Sequence, residues 1–147
     1  MGTRADFFVG VGPSAEWIGS IAFDGCPDGS PAPIFKARTE ARYRAIVTTM
    51  LADLRKDGSP TTTPDEGWPW PWPDHRTTDF AYAWDGDGVV ISRYGRPWIT
   101  RVGMQTAGDA EYDRPKLGDD EVVDMAKRRM STDQMLAKSG LIVLGVK

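Results

Sequence analysis

Apolar residues change rhythm several times along the chain. Residues 6–12 (DFFVGVG) and 16–23 (EWIGSIAF) are short apolar runs parted by Gly10, Gly12 and Pro13, which predicts two strands joined as a hairpin. Residues 24–33 (DGCPDGSPAP) are dense in turn formers and predict a loop. Over residues 39–56 the spacing becomes helical. Tyr43, Ile46, Val47, Met50, Leu51 and Leu54 fall on one stripe, while Arg42, Arg44, Thr48, Asp53 and Arg55 take the other faces. Thr39 suits the N-cap, and Lys56, Asp57 and Gly58 supply a basic last turn and a C-terminal glycine. A single apolar stripe predicts packing on one face of a sheet.

Further on, TTDFAYAW alternates and VVISRY follows it across Asp85, Gly86, Asp87 and Gly88. This predicts an antiparallel hairpin of 77–84 with 89–94, because Asp-Gly turns supply the positive φ that tight hairpins need. Gly95, Arg96 and Pro97 break the strand, residues 98–102 read as another short one, and the polar stretch 103–118 reads as a loop. A helix is predicted from Asp119, with Asp119, Asp120 and Glu121 in its first turn and Lys127, Arg128 and Arg129 near its end. Ser131 to Gln134 has capping-box character and predicts a third helix to about Lys138, and 141–146 reads as a strand inside the sheet. The order predicts an α+β fold in one domain over 1–147: a mainly antiparallel sheet of five or six strands with two to three helices on one face.

Residues 57–76 follow none of these rhythms. Trp68, Trp70 and Trp72 alternate with Pro69, Pro71 and Pro73, which excludes a helix interior or a central strand and predicts an extended run close to polyproline II. In a strictly extended chain the three indoles share one face. They then serve as a lid on the core or as a binding platform, and both readings stay open.

Charge sharpens this picture. The chain of 147 residues has a formal net charge of −3, but residues 57–90 carry seven acidic residues against Arg76 alone, a local net of −6. Residues 38–56 carry a net +3. The acidic whole speaks against direct nucleic-acid binding, and the acidic segment would draw a basic partner surface. Asp65, Glu66, Trp68, Trp70, Trp72, Asp74 and Arg76 are therefore the candidate partner-binding residues. No apolar run is long enough to span a membrane, and the N-terminus has no apolar signal-like stretch, so a cytoplasmic location is expected.

Catalytic patterns are weak. Gly10, Gly12 and Ala15 match a dinucleotide-binding spacing, but a strand follows where a helix is required. Asp85 to Gly88 resembles the start of a calcium loop, yet Val89 and Arg96 stand where ligands belong. The single cysteine, Cys26, and the single histidine, His75, would make a nucleophile and base only if the fold joined them, and neither sits in a known signature. The sequence predicts no enzyme, no metal and no cofactor.

GTRADFFVGVG, AEWIGSIAFDGCPDG, GWPWPWPDHRTTDFAYAWDGDGVVISRYG and the RPW that follows together resemble a family of small uncharacterised proteins encoded by bacteriophages and prophages. The resemblance covers most of residues 2–98 and carries no known active site. It implies an accessory protein made in the host bacterial cytoplasm, of the kind that inhibits or modulates host or defence machinery, including anti-CRISPR proteins. The expected function is non-enzymatic binding to a host or phage protein with a basic surface. The alternatives are a virion-associated or assembly protein, or a small-molecule or nucleotide binder, an enzyme among its forms, walled by His75, Arg76 and the tryptophans.

Overall fold

The computed structural model describes residues 2–107 and 117–118. The predicted helices at 119–130 and 131–138 and the predicted strand at 141–146 lie outside them.

Two hairpins supply the centre of the sheet. The first is β1 (Ala5–Val9) with β2 (Glu16–Ile21), turned by Gly10 and Gly12, both at positive φ. The second is β4 (Phe80–Trp84) with β5 (Val89–Arg93), paired antiparallel as expected, although the first strand starts at Phe80 and not at Thr77, which belongs to a 3-10 turn. Two-residue strands finish the edges: β3 (Thr61–Thr62) beside β2, and β6 (Ile99–Thr100) beside β5. The order is β3-β2-β1-β4-β5-β6, antiparallel throughout except that β1 and β4 run parallel. The fold is α+β, and the described residues form a six-stranded mixed sheet.

The β4–β5 turn differs from the expected one. Of Asp85 to Gly88 only Gly86 has positive φ, whereas a type I′ turn needs two such residues. The Asp85 N–H donates to the Gly88 carbonyl at 3.0 Å, and the Asp85 carboxylate closes the loop further by accepting the backbone N–H groups of Asp87 and Gly88 at 2.8 and 3.0 Å.

Helix α1 (Glu40–Lys56) begins where the sequence placed it, with the Thr39 hydroxyl accepting the Arg42 N–H at 3.1 Å. Tyr43, Val47, Met50 and Leu51 are buried, with Ile46 and Leu54 half-buried beside them. They pack with Phe7, Ile21, Phe80, Tyr82 and Ile91 on one face of the sheet. Close approach depends on Gly19, where a Cβ would lie 2.5 Å from Leu51 Cδ1. Leu51→Ala should therefore lose about 2–5 kcal/mol in denaturant unfolding, whereas Thr48→Ala, on the exposed side, should change stability by less than about 0.5 kcal/mol.

The predicted strand 98–102 and loop 103–118 need correction. Only Ile99 and Thr100 pair with β5, and Arg101–Ala107 forms a short helix, α2. The Thr100 hydroxyl accepts the Gly103 N–H at 2.9 Å, so the threonine ends the strand and caps the helix. Met104 of α2 packs against the same core as α1, so both described helices serve one face.

The opposite face is also covered, but among the described residues by no α-helix. Phe8, Trp17, Ala81, Ala83 and Val90 form a second core there, closed by Trp68, Trp70, Trp72 and Trp98. A bulge in β2 makes this possible. The pairing shifts between Phe7–Gly19 and Phe8–Trp17, so Trp17 and Ser20, three apart, lie on the same side and hydrogen-bond.

Candidate partner-binding site

The Trp-Pro segment, residues 67–73, lies across this second face as a strap. Its three prolines have no N–H, and no backbone–backbone hydrogen bond holds residues 68–73 to the sheet. The indoles fasten it. Trp68 Nε1 donates to the Trp72 carbonyl at 2.7 Å, Trp70 Nε1 to Asp6 Oδ1 at 2.7 Å, and Trp72 Nε1 to the Thr78 hydroxyl at 3.0 Å. The chain bends through residues 70–73, which corrects the straight extended run. The three rings accordingly do not share one outward face. Trp68 is buried edge-on against Trp17 at 5.3 Å, while Trp70 and Trp72 stack on each other at 5.5 Å and 16° and stay half-buried.

Beneath the strap runs a row of the sheet, Ser20–Asp6–Ala81–Ser92, polar at every place but Ala81 and set by strand register. Asp6 is 0% exposed. Its Oδ1 accepts from Ser20 Oγ at 2.6 Å as well as from Trp70, and its Oδ2 is buried with no donor in bonding geometry. Burial pushes the Asp6 carboxyl up to about 6, against the pull of Ser20, Thr78 and Trp70 and helped by the nearby charge of Asp74. Asp6 belongs to no sequence motif. The available signal was a charge inside an otherwise apolar strand, ADFFV.

Asp74 is the N-cap of a 3-10 turn, His75–Thr77, and is itself buried. It accepts the Arg76 backbone N–H at 2.9 Å and the Arg76 guanidinium at 2.7 Å. Burial raises this carboxyl, but the Arg76 contacts outweigh burial and hold it below the ordinary aspartate value. Arg76, half-buried, also reaches the Leu117 carbonyl at 3.4 Å. His75 packs between Phe8 and Trp98, 5.2 and 5.1 Å away, with both ring nitrogens unpartnered. Burial drives it down to about 4, with Asp74 opposing and Arg76 assisting. Cys26 packs against the α1 side of the sheet, so the two sequence candidates for a nucleophile and its base sit on opposite faces.

Asp65 and Glu66 are exposed on a 3-10 turn, Pro64–Glu66. Glu66 completes a capping box with Thr63 and pairs with Arg55. The Arg55 hydrogen bond, then those from Thr63, hold its carboxyl down to about 2. Much of the acidic charge of 57–90 is thus answered internally: Glu66 by Arg55, Asp74 by Arg76 and Asp79 by Arg4. Asp57, Asp65, Asp85 and Asp87 remain exposed and pair with no cation among the described residues.

The strap thus divides the candidate residues. Trp68 and Asp74 are internal, Trp70, Trp72 and Arg76 are partly internal, and Asp65 and Glu66 are external. No group of His, Cys, Asp and Glu able to hold a metal ion occurs among the described residues, and no helix among them is long and apolar enough to cross a membrane. Compared with known proteins, the chain matches no family model, and no curated protein or solved structure is significantly similar to it.

Proposed function

We propose that the chain is a non-enzymatic binding protein whose strap, with the acidic residues around it, engages a basic surface of a host or phage protein and inhibits or modulates it. The observation that carries this reading is the strap itself. Proline stiffens it before any partner arrives, so little entropy is lost on docking. Pro71 and Pro73 are exposed, and Trp70 and Trp72 keep part of their rings outward. Indoles in such a mount supply the apolar anchors common in interface hot spots. The unpaired carboxylates, Asp65 foremost, speed the encounter with a cationic target.

The burial of Asp6 and His75 supports a structural use of both over an acid–base one, since neither faces solvent. The setting we propose, a phage accessory role in the bacterial cytoplasm with anti-defence action among its forms, rests on the resemblance over residues 2–98.

Charge reversal tests the reading. Proteins retained from infected host lysate by the wild-type chain are identified by mass spectrometry, and the purified partner is titrated at several salt concentrations. The expected partner is basic, its affinity falls with salt, and Asp65→Lys weakens it without moving the melting temperature. Glu66 is the poorer choice, because reversing it also breaks the capping box and the Arg55 pair. A partner whose affinity ignores both salt and Asp65→Lys would refute the acidic-surface mechanism.

A further inference from the structure

One cation already lies on the strap. The Arg4 guanidinium carbon sits 5.7 Å from the ring centroid of Trp70 and 5.7 Å from that of Trp72. Its partner carboxylate is Asp79, but loosely: Nη1 to Oδ2 is 3.9 Å. The main chain of Arg4 is fixed independently of its side chain. Its N–H donates to Asp79 Oδ2 at 2.9 Å, and its carbonyl accepts the Phe80 N–H at 3.1 Å. The guanidinium can therefore leave without unfastening the strand. The Arg4 and Asp79 side chains are 40% and 39% exposed, so a ligand from solvent can reach both.

We propose that the Trp70–Trp72 stack and Asp79 form a guanidinium-recognition site, which Arg4 fills in the free protein and an arginine side chain of the partner takes over on binding. This inference rests on the basic-partner reading and names its chemistry. Two aromatic rings beside one carboxylate suit a flat, weakly hydrated cation. Arginine meets that description: its guanidinium stacks on indole and offers paired N–H groups to a carboxylate. Lysine, a compact and strongly hydrated charge, uses only part of the site. Arg4 holds the place weakly, since an exposed ion pair near 4 Å contributes little. Exchange of one arginine for another then costs little, and the contacts elsewhere on the strap decide the outcome.

The experiment uses the full chain with labelled tryptophan indoles, Trp70 and Trp72 being assigned through Trp→Phe variants. The probes are capped Gly-Arg-Gly and Gly-Lys-Gly peptides, followed by indole N–H shifts. The arginine peptide should move the Trp70 and Trp72 signals and leave Trp17 in place. Arg4→Gln should bind it about fivefold more tightly, the weight of an exposed cation–π contact. Asp79→Asn should weaken it, and the lysine peptide should bind less well than the arginine peptide. Arg4→Lys, which keeps the charge and loses the plane, should fall between wild type and Arg4→Gln, and it serves if Arg4→Gln does not fold. Shifts confined to other residues, or equal affinity in the wild type and every folded Arg4 variant, would overturn the site. Those results would leave the basic-partner reading standing, because that reading is judged by the salt dependence and Asp65→Lys response of the whole partner.

Discussion

Trp68→Ala should lose about 3–5 kcal/mol of unfolding free energy, the largest single-residue effect expected on this face of the molecule. Trp68 is 7% exposed, so truncation leaves a cavity against Trp17, Phe8 and the alanines of β4. It also removes the N–H that the Trp72 carbonyl accepts, which opens the bend that aims Trp70 and Trp72. Trp98→Ala should cost less, because Trp98 is only half-buried and its own N–H has no partner to lose. Denaturant titrations of the two variants decide the matter. If Trp68→Ala costs no more than Trp98→Ala, the strap is not part of the core.

Between pH 7 and pH 5 the wild-type chain should change little in stability, while two variants should change in opposite directions. Asp6 has a folded value, about 6, above its unfolded value of 3.8. The folded state therefore takes the proton first, and this group favours folding as pH falls through 6. His75 has a folded value, about 4, below its unfolded 6.5. Here the unfolded chain takes the proton first, and stability is lost as pH falls below 6.5. In the wild type the two effects oppose each other. In His75→Phe only the Asp6 effect remains, and the variant should be about 1 kcal/mol more stable at pH 5 than at pH 7. In Asp6→Asn only the His75 effect remains, and about 2 kcal/mol should be lost over the same interval. Stopping at pH 5 keeps Glu66 and Asp74, whose values are lowered, from entering the comparison. Parallel stability profiles for the two variants would show that Asp6 and His75 do not titrate as their burial requires.

What could be read in the sequence was local. Helix α1 announced itself because six apolar side chains keep a 3.6-residue period and Thr39 stands where a cap is needed. The 80–93 hairpin did so because two strand-like runs flank Asp-Gly pairs, although the turn is closed by the Asp85 carboxylate rather than by two positive-φ residues. Helix α2 escaped notice since RVGMQTA has no apolar stripe and only seven residues. The parallel pairing of β1 with β4 could not be read, because strand partners are chosen by tertiary packing and nothing near Ala5 encodes Phe80. The strap shows the same boundary. Alternating Trp and Pro declared an irregular segment, but what each indole bonds depends on residues far away, Trp70 on Asp6 being 64 positions apart. Of the candidate residues, Asp65 and Glu66 lie exposed, whereas Trp68 turns inward to fill the second core and Asp74 to cap the 3-10 turn and bond Arg76, contacts that depend on the folded chain.

The β1–β4 seam has a kinetic consequence. Each hairpin closes over a short loop and can form early, whereas the seam joins residues about 75 positions apart and carries most of the entropy of chain closure. Meeting of the two hairpins therefore sets the pace of folding, more than the formation of either one. The strap spans this junction, with one indole fastened to Asp6 on the first half and the next to Thr78 at the entrance of the second. It cannot be fastened until both halves have met, and once fastened it resists their parting. Variants that loosen it should speed unfolding far more than they slow folding.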